Sequence, residues 1–325
     1  MSTVATFTIS YTQYLNEHGE PTQAFPGFIT DELLLTLYKQ MTLTRVMDKK
    51  AVNLQRTGKL GTYPASTGQE ATAVAIGYAM HKQDIFCPYY RDQGTSIMRG
   101  VTISDIFTYW GGDERGTQYA HNTTDLPPCI PIATQSLHAA GVAFALKYRA
   151  QKRAVVTTIG EGGTSKGDFY EALNVAGCWN LPVVFVVINN QWAISVPREK
   201  QSSCETIAQK AIAGGFEGIQ VDGNDIVAVL CTMKHALDKA YSDQGPTLIE
   251  AITYRLCDHT TADDASRYRP SDEVQHAWEC EPIRRLGLYL EKKTLWSKEH
   301  EKILQEECHL TVEKAVEDYL NRPLR

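Results

Sequence analysis

The sequence predicts an α/β protein: a parallel sheet with helices on both faces and a C-terminal helical segment. Three observations carry this. Residues 154–197 read as β-run, glycine-rich turn, helix and second β-run, closing on Asn189-Asn190. Further β-type runs at 85–87, 218–221 and 247–253 alternate with segments of helical periodicity. Residues 273–320 are charged and helical throughout, without a β-run. Strands separated by helices at this spacing form βαβ units, whose strands run parallel.

In chain order, residues 1–28 lack periodicity and carry Gly19, Pro21, Pro26 and Gly27. They read as an extended arm, either a loose tail or a segment that wraps a partner. Residues 29–325 read as one domain. A long helix starts at Asp31: Thr30 is the N-cap, Asp31 and Glu32 suit the helix dipole, and Ile29 with Leu34 can form a hydrophobic staple. It continues towards Gly58. An alanine-rich helix over 69–80 follows, its small side chains allowing close backbone approach. The strand 85–87 delivers Tyr90 and Arg91 to its end. Residues 111–135 form a long irregular stretch rich in Gly, Thr and Pro, and loops of that length in compact domains are usually functional or disordered. A helix over 137–148 precedes the central unit. Loop and helix over 199–213, a strand at 218–221, an amphipathic helix over 225–241 and a strand at 247–253 come after it. The polar segment 254–270 carries His259, Asp263-Asp264, Arg267 and Arg269; the Asp pair reads equally as solvated or as part of an ion-pair network that orders the loop. Residues 273–320 read as a helical hairpin.

Composition excludes several classes. The 325 residues carry a net charge of −6, which argues against a nucleic-acid surface. The longest apolar runs are far too short to span a bilayer, and the N-terminal residues lack the basic-then-apolar pattern of a secretory signal. A cytoplasmic protein is expected. The eight cysteines are scattered without a CxxC pair, so reduced thiols are expected rather than zinc or a disulfide framework.

The chemistry concentrates at strand ends. Ligands of parallel α/β sheets bind in the crevice at the carboxyl ends of the strands. There the turn Gly160-Glu161-Gly162-Gly163 offers a carboxylate and backbone N–H groups, and Asn190 offers an amide oxygen. Together with phosphate oxygens these suit a hard divalent cation. A glycine-rich turn alone is weak evidence, and this one lacks the last glycine of GxGxxG, which argues against a dinucleotide site. Tyr90-Arg91 can hold a phosphate through a hydroxyl and a planar fork, although most such pairs only pack. His259 is either a surface histidine or a donor to a phosphate oxygen. No GxSxG turn, Walker lysine or HExxH is present, which leaves a cofactor to do the chemistry or another chain to supply acid–base groups.

The wider motifs point to a family. The unit from Gly160 to Asn190 resembles the thiamine diphosphate signature. LGTYPASTGQEA, YYRDQG, PIATQ, GEGGTSKGDFYEALNVAG, VVINNQWAIS, GIQVDGND, GPTLIEA and DHTTADDASRYR together resemble the α subunit of the decarboxylating component of heterotetrameric 2-oxo acid dehydrogenases. The resemblance covers residues 30–320. It implies a Rossmann-like thiamine diphosphate-binding fold and two cofactors, thiamine diphosphate and Mg²⁺. It implies that Glu161, Asn190 and the carbonyl of Trp192 ligate the metal. Tyr90, Arg91, Gly162, Gly163 and His259 would meet the diphosphate, Ile130 and Ile132 the aminopyrimidine, and His259 would also be catalytic. The implied reaction is oxidative decarboxylation of a 2-oxo acid with transfer of the acyl fragment to a lipoyl group. The implied partners are a β subunit, in an α2β2 heterotetramer that shares each active site, and a lipoyl-bearing transacylase core. Four positions depart from the commoner pattern. Glu161 replaces Asp, Ile188 stands where some relatives carry a polar or cationic residue, Trp192 replaces Tyr or Phe, and Thr260 follows the histidine, where a turn-capping role is expected. Pyruvate is the favoured substrate. Branched-chain 2-oxo acids come next, ahead of acetoin or a partner-binding chain without catalysis.

Overall fold

The computed structural model describes residues 1–119 and 124–323, so residues 120–123 of the irregular stretch lie outside the described residues. The elements in chain order are β1 (Ser10–Thr12), α1 (Asp31–Arg56), α2 (Glu70–Ala79), β2 (Ile85–Cys87), α3 (Gln93–Met98), α4 (Ile103–Trp110), α5 (Thr134–Tyr148), β3 (Val155–Gly160), α6 (Gly167–Cys178), β4 (Val183–Asn189), β5 (Trp192–Ala193), β6 (Val196–Pro197), α7 (Arg198–Gln201), α8 (Lys210–Gly214), β7 (Glu217–Asp222), α9 (Ile226–Tyr241), β8 (Thr247–Ile252), α10 (Ser271–Glu279), α11 (Pro282–Lys292) and α12 (Lys298–Leu320). Six strands form one parallel sheet in the order β1-β7-β8-β4-β3-β2. This is the α/β architecture expected.

The central strand β4 shows why both faces are covered. All seven of its residues are buried. Val184, Val186 and Ile188 join a core that includes α1, α2, α9 and the C-terminal helices, whereas Val183, Phe185 and Val187 join a second core with α5, α6 and α8. Alternating side chains thus feed two cores, as a strand sandwiched between helix layers requires. Helix α1 starts as expected, with Thr30 Oγ1 accepting from Leu33 N at 3.2 Å. Helices α3 and α4 were not foreseen: their few turns are too short for a clear helical period.

Two further parts differ from expectation. The C-terminal region is three helices, α10, α11 and α12, rather than a hairpin. Pro282 starts α11 directly after α10, and the Glu281 carboxylate caps it by accepting from Ile283 and Arg284 N–H. From Ser10 onward the N-terminal arm packs on this same chain. Strand β1 extends the sheet beside β7, and Leu15 is fully buried in the larger core.

Asp225 holds that arm. Its Oδ1 caps α9 by accepting from Val227 and Ala228 N–H, and its Oδ2 accepts from Tyr14 and Leu15 N–H at 2.6 and 2.7 Å. One carboxylate thus satisfies four backbone donors on two segments. Asp225→Ala leaves the two arm donors buried without an acceptor and removes the cap, so a loss of about 3 kcal/mol is expected. Urea denaturation should show it, with faster proteolysis before residue 28; an unchanged midpoint would mean that water replaces the carboxylate without cost.

Candidate functional site

Parallel register brings four strand ends together. Gly160 pairs with Ile188, Asn189 with Ile252, and Cys87 with Thr157. The residues that leave these strands are therefore neighbours: Tyr90 and Arg91 after β2, Glu161 after β3, Asn190 and Trp192 after β4, and Arg255 and His259 after β8. All but Arg255 line a cavity of about 290 Å³.

Glu161 is 1% exposed and, among the described residues, is the one carboxylate that lines this cavity. Its Oε2 accepts from Asn190 N at 3.1 Å, a direct link between the two strand ends. Burial pushes its pKa up, because no cation within ion-pair distance among the described residues offsets the lost hydration. Asn190 Oδ1 accepts a long bond from Trp192 N at 3.4 Å, and the Trp192 carbonyl accepts from Arg255 Nη1 at 3.2 Å. Each oxygen keeps a second lone pair. A carboxylate, an amide oxygen and a backbone carbonyl on one cavity wall make an oxygen donor set of the kind that hard cations select.

The two residues of the Asn-Asn pair have separate tasks. Asn189 points away from the cavity and donates to Glu250 Oε1 at 2.7 Å. Glu250 Oε2 in turn accepts from Ile207 N, Ala208 N and Gln220 Nε2. Asn189 is structural, and Asn190 alone reaches the site. The chain then reverses through the β5–β6 hairpin, which Gln191 and Ile194 permit by taking φ of 74° and 57°. The Trp192 indole Nε1 donates to Glu273 at 2.8 Å.

Two arginines lie at the site, Arg91 in the cavity lining and Arg255 outside it. Arg91 is 2% exposed and donates to the carbonyls of Ala65 at 2.6 Å and His259 at 2.9 Å. Arg255 is fully buried and donates to Ile194 O at 2.9 Å and the Tyr268 hydroxyl at 3.0 Å. Among the described residues neither guanidinium forms an ion pair, and Arg255 Nε has no partner. Two buried cations without a carboxylate suit an anion in the cavity. Gly162 and Gly163 keep the opposite wall thin: a Cβ at Gly162 would stand 2.5 Å from Ala193 Cβ, and one at Gly163 2.7 Å from Ile159. Burial, then the charges of Arg91 and Arg255, push the His259 pKa down to about 3.

Ile132 lines this cavity, while Ile130 lines an adjoining one of about 540 Å³ that shares Tyr90, Ile132 and His259 with the first. The segment that carries both isoleucines runs beside the extension of β2, through a parallel bridge between Tyr89 and Cys129. Ile188 lies in the core and does not line the cavity. Thr260 Oγ1 accepts from Ala262 N at 3.3 Å, the turn cap expected of it. Of the two readings of the His259 loop, the ion-pair network is absent among the described residues. Asp263 instead accepts from His259 N at 2.8 Å and from the Tyr268 hydroxyl, and Arg269 donates to the Arg255 carbonyl. Among the described residues no group of three or more His, Cys, Asp or Glu side chains could hold a metal, and all eight cysteines are free.

Arg255, which holds the His259 ring, was missed from sequence, as were the cavity-lining Gln201 and Cys129. The available signal for Arg255 was an arginine closely following the apolar run of β8, four residues before His259.

A known family matches this arrangement. The family described as dehydrogenase E1 component matches residues 38–323. The chain belongs to the dehydrogenase E1 component family. The pyruvate dehydrogenase E1 component subunit alpha of Staphylococcus aureus (strain Mu50) is 43% identical over 308 residues, covering 94% of this chain and 83% of the relative. The protein of the same description in Bacillus subtilis (strain 168) is 42% identical over 94% of this chain and 82% of its own length. That of Staphylococcus epidermidis is 41% identical over 89% and 79%.

The depressed His259 pKa carries a sign. Below about 6.5 the unfolded chain takes up a proton on this histidine that the folded chain refuses. The folded state therefore loses stability as pH falls from about 6.5 towards 3. In urea titrations at pH 7.5 and 5.5, wild type is expected to lose more stability than His259→Gln on acidification. Equal losses would mean that the ring titrates normally.

Proposed function

We propose that the chain is the α subunit of a thiamine diphosphate-dependent pyruvate dehydrogenase, acting in oxidative decarboxylation and acyl transfer to a lipoyl group. The observation that carries this is one cavity lined by a buried carboxylate, Glu161, and a buried guanidinium, Arg91, with a second buried guanidinium, Arg255, next to its His259 wall. That is a fitting environment for a diphosphate bridged to a divalent cation. The identities with pyruvate dehydrogenase α subunits over most of the chain support the same reading and favour pyruvate over a branched-chain acid.

In this reading Glu161, Asn190 Oδ1 and the Trp192 carbonyl hold Mg²⁺. Tyr90, Arg91, His259 and the backbone at Gly162 and Gly163 receive the diphosphate. Ile130 and Ile132 flank the aminopyrimidine. The bound cofactor would supply the carbanion and the electron sink for decarboxylation. This chain's residues would orient it, neutralise its charge and exclude water. Among the described residues the cavity lining offers no carboxylate besides Glu161, which fits an acid–base group for the aminopyrimidine supplied by a β subunit in an α2β2 assembly. A transacylase core is then the acceptor. Among the described residues no helix is long and apolar enough to cross a membrane, which is compatible with the cytoplasmic location proposed.

The test is co-expression with a candidate β subunit, followed by decarboxylation of pyruvate and of 4-methyl-2-oxopentanoate with an artificial electron acceptor. Turnover of pyruvate with the higher kcat/KM is expected; preference for the branched acid would reassign the substrate, since a methylene or two in a pocket shifts selectivity by only about 10–200-fold. Glu161→Ala is expected to abolish Mg²⁺-dependent retention of thiamine diphosphate, measured by equilibrium binding. Retention equal to wild type would remove Glu161 from the metal site.

A further inference from the structure

The His259 ring is constrained on several sides. Its backbone N–H donates to Asp263 and its carbonyl accepts from Arg91. The ring stands edge-on to Tyr90, with centroids 6.2 Å apart. Its Nδ1 lies 3.0 Å from Arg255 Nη1 and 3.3 Å from Arg91 Nη2. A guanidinium has donors only and does not deprotonate in proteins. A ring nitrogen facing two such groups can only accept, so the ring proton resides on Nε2.

The two arginines are not equivalent. Arg91 lines the cavity and can turn a donor to an anion there, whereas Arg255 does not line it. Arg255 is fastened from behind, by the carbonyls of Trp192 and Ile194 and the Tyr268 hydroxyl. An anion that recruits Arg91 therefore leaves Arg255 on Nδ1. Nε2 makes no hydrogen bond within the described residues, and the ring lines both cavities.

We propose that Arg255 is a positioning residue that locks His259 as the neutral Nε2–H tautomer, so that this histidine serves the site as a fixed hydrogen-bond donor and not as a proton acceptor. The inference deepens the proposed function and rests on it for the histidine's part in catalysis. Charges around the ring agree. Arg91, from the loop after β2, and Arg255 both oppose a second proton, and Asp263, which favours one, is outweighed. Glu161 is attracted to the same two guanidiniums and thereby helps to hold them in place.

The test reads the tautomer directly and needs neither cofactor nor substrate. Nitrogen-15 NMR is recorded on the full chain labelled at histidine, with His259→Gln to identify the signals. A pyridine-type Nδ1 and a pyrrole-type Nε2 are expected for wild type, unchanged between pH 8 and 5. Arg255→Met should average the two signals and raise the titration midpoint by about one unit or more. Arg255→Lys, which keeps a cationic donor, should retain Nε2–H. A wild-type proton on Nδ1, or a wild-type midpoint between pH 6 and 7, overturns the proposal, as does a wild-type spectrum in Arg255→Met. The wild-type spectrum decides even where a variant fails to fold. Absence of pyruvate turnover with a normal Nε2–H spectrum would count against the proposed function and not against the tautomer.

Discussion

The constraint on which everything else depends is the common direction of the six strands. A parallel sheet cannot be closed by short hairpins, so every connection must cross a face, and both faces become buried under helices. The same constraint places all carboxyl ends along one edge. In this chain the four central and flanking ends, those of β8, β4, β3 and β2, carry the polar residues, and the pairing between strands sets their spacing to within one residue. A one-residue slip of β4 against β3 would move Asn190 away from Glu161 and send Phe185 into the wrong core. Packing and site are thus specified by one register.

Electrostatically, the site is an arrangement of groups that are poorly matched with each other. A carboxylate is buried with backbone donors but without a cation, and two guanidiniums are buried with carbonyls but without a carboxylate. Had Glu161 paired with Arg91 or Arg255 directly, each would be satisfied and the cavity would have no attraction for a charged ligand. Keeping them apart costs folding free energy and retains binding capacity.

Much of this was legible in the sequence because it lies in local patterns. The strand–turn–helix–strand unit, the Thr30 cap and the strand-end positions of Tyr90, Arg91, Glu161, Asn190 and His259 follow from periodicity, turn chemistry and motif. What was not legible depends on distant partners. Asn189 and Asn190 look alike in sequence, and only Glu250, some sixty residues on, tells them apart. Arg255 became visible only once its donors were seen to meet Trp192, Ile194 and Tyr268. The arm seemed loose because the groups that hold it, Asp225 and β7, lie about two hundred residues away.

That last separation bears on how the protein is made. Ser10 pairs with Ile219, so β1 has no place to dock until β7 has left the ribosome. At roughly 5–20 residues per second, the first strand waits about 10–40 s after its own synthesis. During that time Leu15, buried in the folded chain, remains uncovered, and the opposite side of β7 has a bare hydrogen-bonding edge once it emerges. The sheet is therefore completed at its outer edge by a strand translated about two hundred residues before its partner, and the nascent chain relies on that strand staying unpaired in the meantime.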